Sequence, residues 1–398
     1  MHESLGRSIG TGAALTTTDS LPSNRLRAKT AIMNDDFSAI ARSVPPRLEQ
    51  RGRAVELLPI VLFNTLLNIL TMSIYRFWGK TRVRQYLWRQ THFMDEPLEY
   101  TGSGGELFKG FLAVFFLILL PLGTINNLAS VYLDPDSTEF IVFNALFYLA
   151  IFFLVGMAIY RARRYRLSRT RWRGIRGAMV GSSAQYAIRY LMFWALTLAS
   201  LGWAYPWMQV GLFKRIMEET RFGDRAFRVT ATLGPLYRVF AICWFGALVL
   251  GLGIFAAIEY LTTAQLVIEG MVEGAAVPSW ISSGIMLVVI LPFVLMLWMP
   301  WYKAQEFNHL AAGTSFMAVS FRMDVTVWNL TGLTFFNLAI LVLTLGFGQP
   351  FTQLRTFRYF CRRLQISGEL DIDWIQQSNA AAPTMGEGLA DAFDLGAV

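Results

Sequence analysis

The chain is poor in charge, in cysteine and in histidine, and each shortage excludes something. Charged residues are 16% of 398, where a soluble domain carries roughly 25%. The two cysteines, Cys243 inside an apolar stretch and Cys361 in a basic one, make no disulfide framework. The histidines His2, His92 and His309 have no metal-ligand neighbour at useful spacing, so neither a metal nor another cofactor is expected. No Gly-x-Ser-x-Gly elbow is present. Gly79-Lys80-Thr81 imitates the end of a P-loop, but Ile74 stands where that loop needs its first glycine. Gly102-Ser103-Gly104-Gly105 lacks the third glycine of a dinucleotide loop. It reads as a turn entering an apolar block, with an anion at the helix start as the alternative. The carboxylate pairs Glu218-Glu219 and Asp371/Asp373 lie in polar stretches and read as solvated. The expectation is a protein without enzymatic activity.

Hydrophobic residues are plentiful, at 54%, and they are clustered. Seven apolar blocks run approximately over Val55–Phe77, Leu107–Leu128, Phe140–Tyr160, Tyr186–Trp207, Leu236–Tyr260, Ile281–Trp301 and Trp328–Phe351, with the charges almost wholly between them. A bilayer core of about 30 Å needs about 20 apolar residues in a helix. The expected fold is therefore an all-α polytopic membrane protein. The net charge of +8 would suggest nucleic acid in a soluble protein. Here the basic residues sit at block ends, as in cytoplasmic loops of membrane proteins, so the expected partners are anionic membrane lipids rather than nucleic acid.

Residues 1–54 contain no apolar signal-peptide core, and residues 1–32 are rich in Ser, Thr and Gly. Met33 opens Met-Asn-Asp-Asp-Phe and is a candidate start, with a transit peptide as the competing reading. The expected organisation is a disordered extension over 1–45, a repeated transmembrane domain over 46–375, and a disordered, Ala/Gly-rich tail over 376–398.

Five stretches share one frame. They run from Trp78 to Thr91 and Phe93, from Met157 to Thr170 and Trp172, from Trp207 to Thr220 and Phe222, from Trp301 to Thr314 and Phe316, and from Phe351 to Leu364 and Ile366. In each an apolar block ends near an aromatic residue and a polar helix follows, and in four a Thr-x-aromatic element closes it. The polar turns are basic, with Arg161, Arg163, Arg164 and Arg166 the densest set. Together with Trp207 and Trp301 they read as lipid-headgroup contacts, and a substrate-binding patch is the alternative. Short alternating stretches such as Leu98–Gly102, Phe227–Ala231 and Val319–Arg322 follow the closing elements and read as short cytoplasmic strands.

Blocks one, four and seven share a further register. They end in Thr-Met-Ser-Ile-Tyr-Arg-Phe-Trp from Thr71, Ser-Leu-Gly-Trp-Ala-Tyr-Pro-Trp from Ser200 and Thr-Leu-Gly-Phe-Gly-Gln-Pro-Phe from Thr344. This pattern resembles the YjgN-like bacterial inner-membrane proteins, a family without an assigned biochemical activity. Their Thr-Leu-Gly-x-x-x-Pro-Trp turn is matched best by Ser200-Leu201-Gly202 with Pro206-Trp207, continued by Thr220, Phe222-Gly223-Asp224 and Phe227, and also by Thr344-Leu345-Gly346 with Pro350. The first copy departs from it, with Ser73 for the glycine and Phe77 for the proline. The Gly102–Phe108 run is similar to the family's glycine-rich entry motif. The resemblance covers roughly residues 46–375 and implies a fold and a bacterial inner-membrane location but no reaction.

The stretch Arg161–Arg189 holds nine arginines and no acid and is expected to be a cytoplasmic loop. Leu128–Glu139 and Leu261–Trp280 carry acids and no base. With seven full crossings these loops cannot all lie where their charges place them. The conflict vanishes if blocks one, four and seven are re-entrant hairpins broken at Ser200, Gly202 and Pro206 and at Thr344, Gly346 and Pro350. The arm Tyr186–Ala199 rises only ~21 Å, too short for the hydrocarbon core. The polar groups that read as the best functional candidates are Asn64, Asn68, Asn144, Asn337, Gln209 and Gln353. Intramembrane amides join helices or, in transporters with broken helices, line a path. Asn64, Asn68 and Asn337 are the candidate polar lining. Two functions follow as expectations: passive passage of a small solute or lipid, or a non-transporting scaffold that binds lipid through its basic helices.

Overall fold

A computed structural model describes residues 46–269, 299–370, 375–378 and 388–393. It opens with strand β1 (Leu48–Gln50), helix α1 (Ala54–Leu70) and helix α2 (Arg76–Arg89), then β2 (Thr91–Phe93), β3 (Glu96–Pro97) and β4 (Glu99–Tyr100). The continuous helix α3 (Gly104–Tyr132) carries a π turn at Phe115–Leu119, and α4 (Thr138–Arg169) returns from it. Next come β5 (Thr170–Trp172), β6 (Ile175–Met179), α5 (Ser183–Ala199), α6 (Tyr205–Glu219), β7 (Thr220–Phe222), β8 (Arg225–Ala226), β9 (Arg228–Val229) and α7 (Gly234–Glu269). Helix α8 covers 299–312 of the described residues. It is followed by β10 (Thr314–Phe316), β11 (Val319–Met323), α9 (Val327–Leu343), α10 (Gln349–Arg363), β12 (Leu364–Ser367) and α11 (Gly388–Ala392).

The expectation of seven comparable membrane segments is corrected. Three described helices are long and apolar enough to cross a membrane: α3, α4 and α7 over Gly234–Tyr260. Blocks one, four and seven instead form the 17-residue helices α1, α5 and α9, each about 25 Å long. The sixth block lies outside the described residues except for its last three, which begin α8. The stretch Arg161–Arg189 is largely regular secondary structure. Arg161–Arg169 are the last turns of α4, because no glycine or proline interrupts the helix between Gly156 and Thr170. A β-hairpin and the start of α5 follow.

Short strands accompany the helices as expected, twelve of them among the described residues. They form sheets in the orders β1-β2-β3, β4-β5-β6-β7-β8 and β12-β11-β10-β9, all pairings antiparallel. The pairing passes from one helix-strand unit to the next: Glu99 faces Arg171, Ala178 faces Arg221, Ser315 faces Arg228 and Phe321 faces Ile366. The closing threonines stop the preceding helices. Thr91, Thr170, Thr220 and Thr314 each donate a hydroxyl hydrogen bond to the carbonyl four residues back, at 2.7 to 2.9 Å, satisfying an end carbonyl of the helix. Their aromatic partners two residues on stack in series, Phe93 on Trp172 at 4.9 Å, Trp172 on Phe222 at 5.9 Å and Phe222 on Phe316 at 6.4 Å between ring centroids. The last unit returns to the first: Leu354 is buried with Leu57, Val61, Val83 and Leu87, and Phe357 packs on Trp88 at 5.5 Å.

Part of the expected tail has defined contacts. Leu389 and Ala390 are buried against Ala158 and Ala162 of α4, the Asp224 N–H donates to the Gln376 carbonyl at 3.0 Å, and the Gln376 N–H donates to Asp224 Oδ1 at 3.1 Å. The rest of residues 379–398, and all of 1–45, lie outside the described residues.

Candidate functional site

Three turns carry the geometry from which a site can be built. In each, a helix ends at a Ser or Thr and two residues with positive φ follow. Met72 and Ser73 have φ of 49° and 69°, Leu201 and Gly202 of 51° and 91°, and Leu345 and Gly346 of 50° and 87°. The second of each pair donates its N–H to the carbonyl five residues back, from Ser73 to Asn68, Gly202 to Thr197 and Gly346 to Leu341, at 2.7 to 2.8 Å. This is the backbone pattern of a helix stop. The Ser or Thr hydroxyl then accepts from the backbone N–H four residues on, Tyr75, Ala204 or Gly348, at the start of the next helix. It also donates back to the first helix, to Leu67, Thr197 or Ile340. Pro206 and Pro350 sit in the first turn of the second helix, where a missing N–H costs nothing. They start α6 and α10; the positive-φ pair ends α5 and α9. Ser73 takes the glycine's role at φ 69° in the first copy, so that turn forms despite its departures.

The two helices of each pair fold back on one another. Asn64 is buried in α1, and its amide donates to the carbonyl of Gly79 in α2 at 3.3 Å. The absent side chain of Gly79 permits the approach, since a Cβ there would meet Asn64 Cγ at 3.2 Å. Asn337 of α9 donates to Thr356 Oγ1 of α10 at 3.1 Å. In the middle pair Phe193, which falls at the corresponding place, packs edge-on against Trp207 at 5.5 Å, with Gly211 beneath it. Of the three expected lining residues, Asn337 borders a cavity while Asn64 and Asn68 border none of the cavities described here. The amide oxygens of all three are buried without a hydrogen-bond partner.

Cavities lie among the described residues of these helices. One of about 640 Å3 is walled by α4 to α6 and α8 and floored by β10 to β12, and includes Arg163, Tyr190, Gln209, Glu306 and Phe321. A second, of about 830 Å3, follows the α5–α6 pair from Ala199 and Trp207 to Lys214 and Arg215. The third and fourth flank the α9–α10 pair: about 650 Å3 along Leu330, Asn337, Leu341 and Phe360, and about 510 Å3 around Asp324, Arg355, Arg358, Arg362 and Arg363.

A buried ion pair separates two of these spaces, and the sequence did not mark it. Glu306, 4% exposed, accepts from Lys303 Nζ at 2.9 and 3.1 Å, and both lie beside Tyr302 and Tyr205. Glu306 borders the first cavity and Lys303 the third. Burial pushes the Glu306 carboxyl above its ordinary range, and Lys303 only partly offsets this. Burial works against the Lys303 ammonium as well, yet Glu306 and Tyr205 outweigh it and raise its pKa.

The proposed headgroup residues occupy two environments. Arg161 and Arg163 are exposed on α4, Arg164 and Arg166 half-buried; Trp207 is 47% exposed and Trp301 half-buried. The Gly102–Gly105 turn does not present a free helix start. Ser103 caps α3 by accepting from the Glu106 N–H at 3.2 Å, and the Glu106 carboxylate takes the Tyr165 hydroxyl at 2.7 Å and Arg169 at 3.0 Å. Among the described residues no group of three His, Cys, Asp or Glu side chains is placed to hold a metal.

Over 76 residues the chain is 30% identical to the inner membrane protein YjgN of Salmonella typhimurium, a stretch covering 19% of this chain and 19% of that protein. No solved structure matches. The model of a family described as bacterial protein of unknown function, DUF898, matches residues 45–392, from the start of the described structure to α11. The chain belongs to that family.

Proposed function

We propose that this protein resides in the bacterial inner membrane, where α1–α2, α5–α6 and α9–α10 enter the lipid from the cytoplasmic face and return without crossing, and that it acts there as a non-catalytic module binding anionic lipid. One observation carries this reading. The first positive-φ residue of each turn is apolar and is among the most exposed side chains: Met72 at 90%, Leu201 at 80% and Leu345 at 86%. Beside them Ile74 and Phe347 are also about half exposed. Three uncovered apolar tips on one protein are unfavourable in water and suit hydrocarbon. At the tips the Ser/Thr hydroxyls and the 2.7 to 2.8 Å turn bonds take up two backbone N–H groups per turn, which lowers the cost of placing this chain in hydrocarbon. The basic ends of α4 and α10 then meet the anionic headgroups, with the Arg161–Arg189 stretch on the cytoplasmic side.

Single cysteines test this in a background lacking Cys243 and Cys361. Cysteines at Met72, Leu201 and Leu345 are expected to resist a membrane-impermeant maleimide from both sides, and a bimane there is quenched by doxyl-labelled lipid. Arg53→Cys and Gln90→Cys label from one and the same side, and Asp136→Cys from the other. Labelling of Arg53 and Gln90 from opposite sides makes block one a full crossing and overturns the proposal.

A second reading, passive passage of a small solute or lipid, is favoured by the cavity holding Arg163, Gln209 and Glu306. Flux through proteoliposomes that is lost in a Gln209→Leu variant supports it. Absence of flux together with tight binding to anionic vesicles supports the lipid-binding module.

A further inference from the structure

The two cavities beside α9 and α10 differ in chemistry in a way that matches one amphiphile. The cavity nearest the strands holds four arginines and a single carboxylate, Asp324. None of the four forms an ion pair, with Asp324 or with any other described acid. Arg355, Arg358 and Arg362 follow one another at spacings of three and four on one face of α10, where like charges repel. Two of the cluster are used by the protein: Arg358 donates to the Gly52 carbonyl, and Arg363 donates to the Asp324 carbonyl at 2.8 Å and lies over the Tyr359 ring. Arg355 touches the Phe336 ring and Arg362 is exposed; neither has a hydrogen-bonded partner among the described residues. A half-buried guanidinium without a counterion is costly, and its planar fork fits the oxygens of a phosphate.

The other cavity, bordered by Lys303 but otherwise mostly apolar, runs along the pair from Leu330 and Phe360 near the strands to Leu338 and Leu341 near the hairpin tip. Leu333 borders both, so the two spaces abut. On the wall of the apolar one the Asn337 oxygen has no donor. The arginines therefore run from the strand end, at Arg362, to the level of the Asn337 acceptor, at Arg355 beside Thr356, and apolar surface continues from there to Leu341 near the tip. An inserted phospholipid presents phosphate, glycerol or headgroup hydroxyl, and acyl chain in that order.

We propose that the α9–α10 pair is a binding site for one anionic phospholipid, its phosphate held by Arg355 and Arg362 and its acyl chain in the cavity lined by Leu338 and Leu341. The site rests on the lipid-binding reading above and localises it. The full chain in non-ionic detergent is titrated with dioctanoyl phosphatidylglycerol, dioctanoyl phosphatidylcholine and inorganic phosphate, and binding is followed by thermophoresis. Phosphatidylglycerol is expected to bind at least tenfold more tightly than either of the others. Arg355→Gln/Arg362→Gln abolishes that preference, and Leu341→Trp, which fills the apolar cavity while leaving the arginines in place, weakens phosphatidylglycerol about tenfold. The arginines are not in the hydrophobic core, and an unchanged melting temperature verifies that each variant is folded. A preference that persists in both variants overturns this site but leaves the lipid-binding reading standing elsewhere on the protein. No preference in the wild type overturns both. Inorganic phosphate binding as tightly as phosphatidylglycerol makes the cluster a site for free anion and overturns the phospholipid.

Discussion

The Ser200 hydroxyl accepts the Ala204 N–H at 2.9 Å across a turn in which the chain reverses from α5 to α6. Thr71 does the same for Tyr75 at 3.0 Å and Thr344 for Gly348 at 2.8 Å. One hydroxyl thus ends one helix and caps the next. The residue type follows from this, because only a short side chain with an oxygen reaches both backbones. Ser200→Ala and Thr344→Val are expected to lower stability by about 1 kcal/mol each, the usual worth of a helix cap, and Ser200→Thr by less. Thermal unfolding in detergent measures it, and equal melting temperatures for Ser200→Ala and wild type show that the hydroxyl is not needed to close the turn.

These turns were legible in the sequence because their demands are local. A Ser or Thr, a residue tolerant of positive φ and a first-turn proline recur at fixed spacing, and the alternating stretches likewise become strands at Glu99–Tyr100, Arg228–Val229 and Val319–Met323. Even the weak first copy could be placed, since Ser73 occupies the glycine position by register. The polar helix expected after Tyr160 is the end of α4, because no helix-breaking residue separates its arginines from the apolar block. Lys303 and Glu306 could not be singled out as a buried pair. Three apart in a polar-looking helix, they are covered by tertiary neighbours, with Tyr205 and Phe240 stacking on Tyr302. Asp391 was hidden for the same reason, as one acid in an Ala/Gly-rich stretch whose contacts lie about three hundred residues away.

The Asn64–Gly79 contact joins two helices through an amide and a missing Cβ. Asn64→Leu removes the bond to the Gly79 carbonyl and is expected to cost about 1 kcal/mol. Gly79→Val places a branched side chain against Asn64 Cγ, which an added Cβ alone would meet at 3.2 Å, and is expected to cost more. A double-mutant cycle on melting temperature measures the coupling, and strict additivity would mean that the two residues do not act as one contact.

The Lys303–Glu306 pair gives stability a pH dependence of definite sign. The Glu306 pKa is raised in the folded state, so the folded protein holds that proton more tightly than the unfolded chain. Its contribution is fully present below the ordinary glutamate range and is lost as pH rises through the folded value. Glu306→Gln is expected to flatten the stability profile just above pH 4.5. Lys303→Met leaves the carboxylate buried without its cation and is expected to destabilise at neutral pH by on the order of 2 kcal/mol. That is less than for a fully buried pair, because 26% of the Lys303 side chain stays exposed. Unfolding measured from pH 4 to 8 checks both, and a Glu306→Gln profile parallel to wild type would assign the pH dependence to other groups.

The Asp391 carboxylate ties the end of the chain to its first helix pair. Its side chain is 1% exposed and meets Lys80 Nζ at 2.9 Å, while its second oxygen has no partner. Leu389 and Ala390 fill a gap between α3 and α4 beside Val114 and Leu154, and Gly388 lies so close to Gly110 that an added Cβ would fall 2.1 Å from the Gly110 oxygen. Small residues are therefore required at 388 and 390, and the acid is required by the lysine. Gly388→Val is expected to expel α11 by steric overlap, and Lys80→Met by stranding a buried charge. Both raise amide hydrogen exchange over Gly104–Val114 and expose the 388–393 segment to protease, with the melting temperature falling less than for a core substitution. Truncation after Met385 reproduces the exchange pattern without either substitution. Unchanged protection in the truncated protein would show that α3 and α4 pack as well without α11, and the Lys80–Asp391 pair would then have no role in holding them.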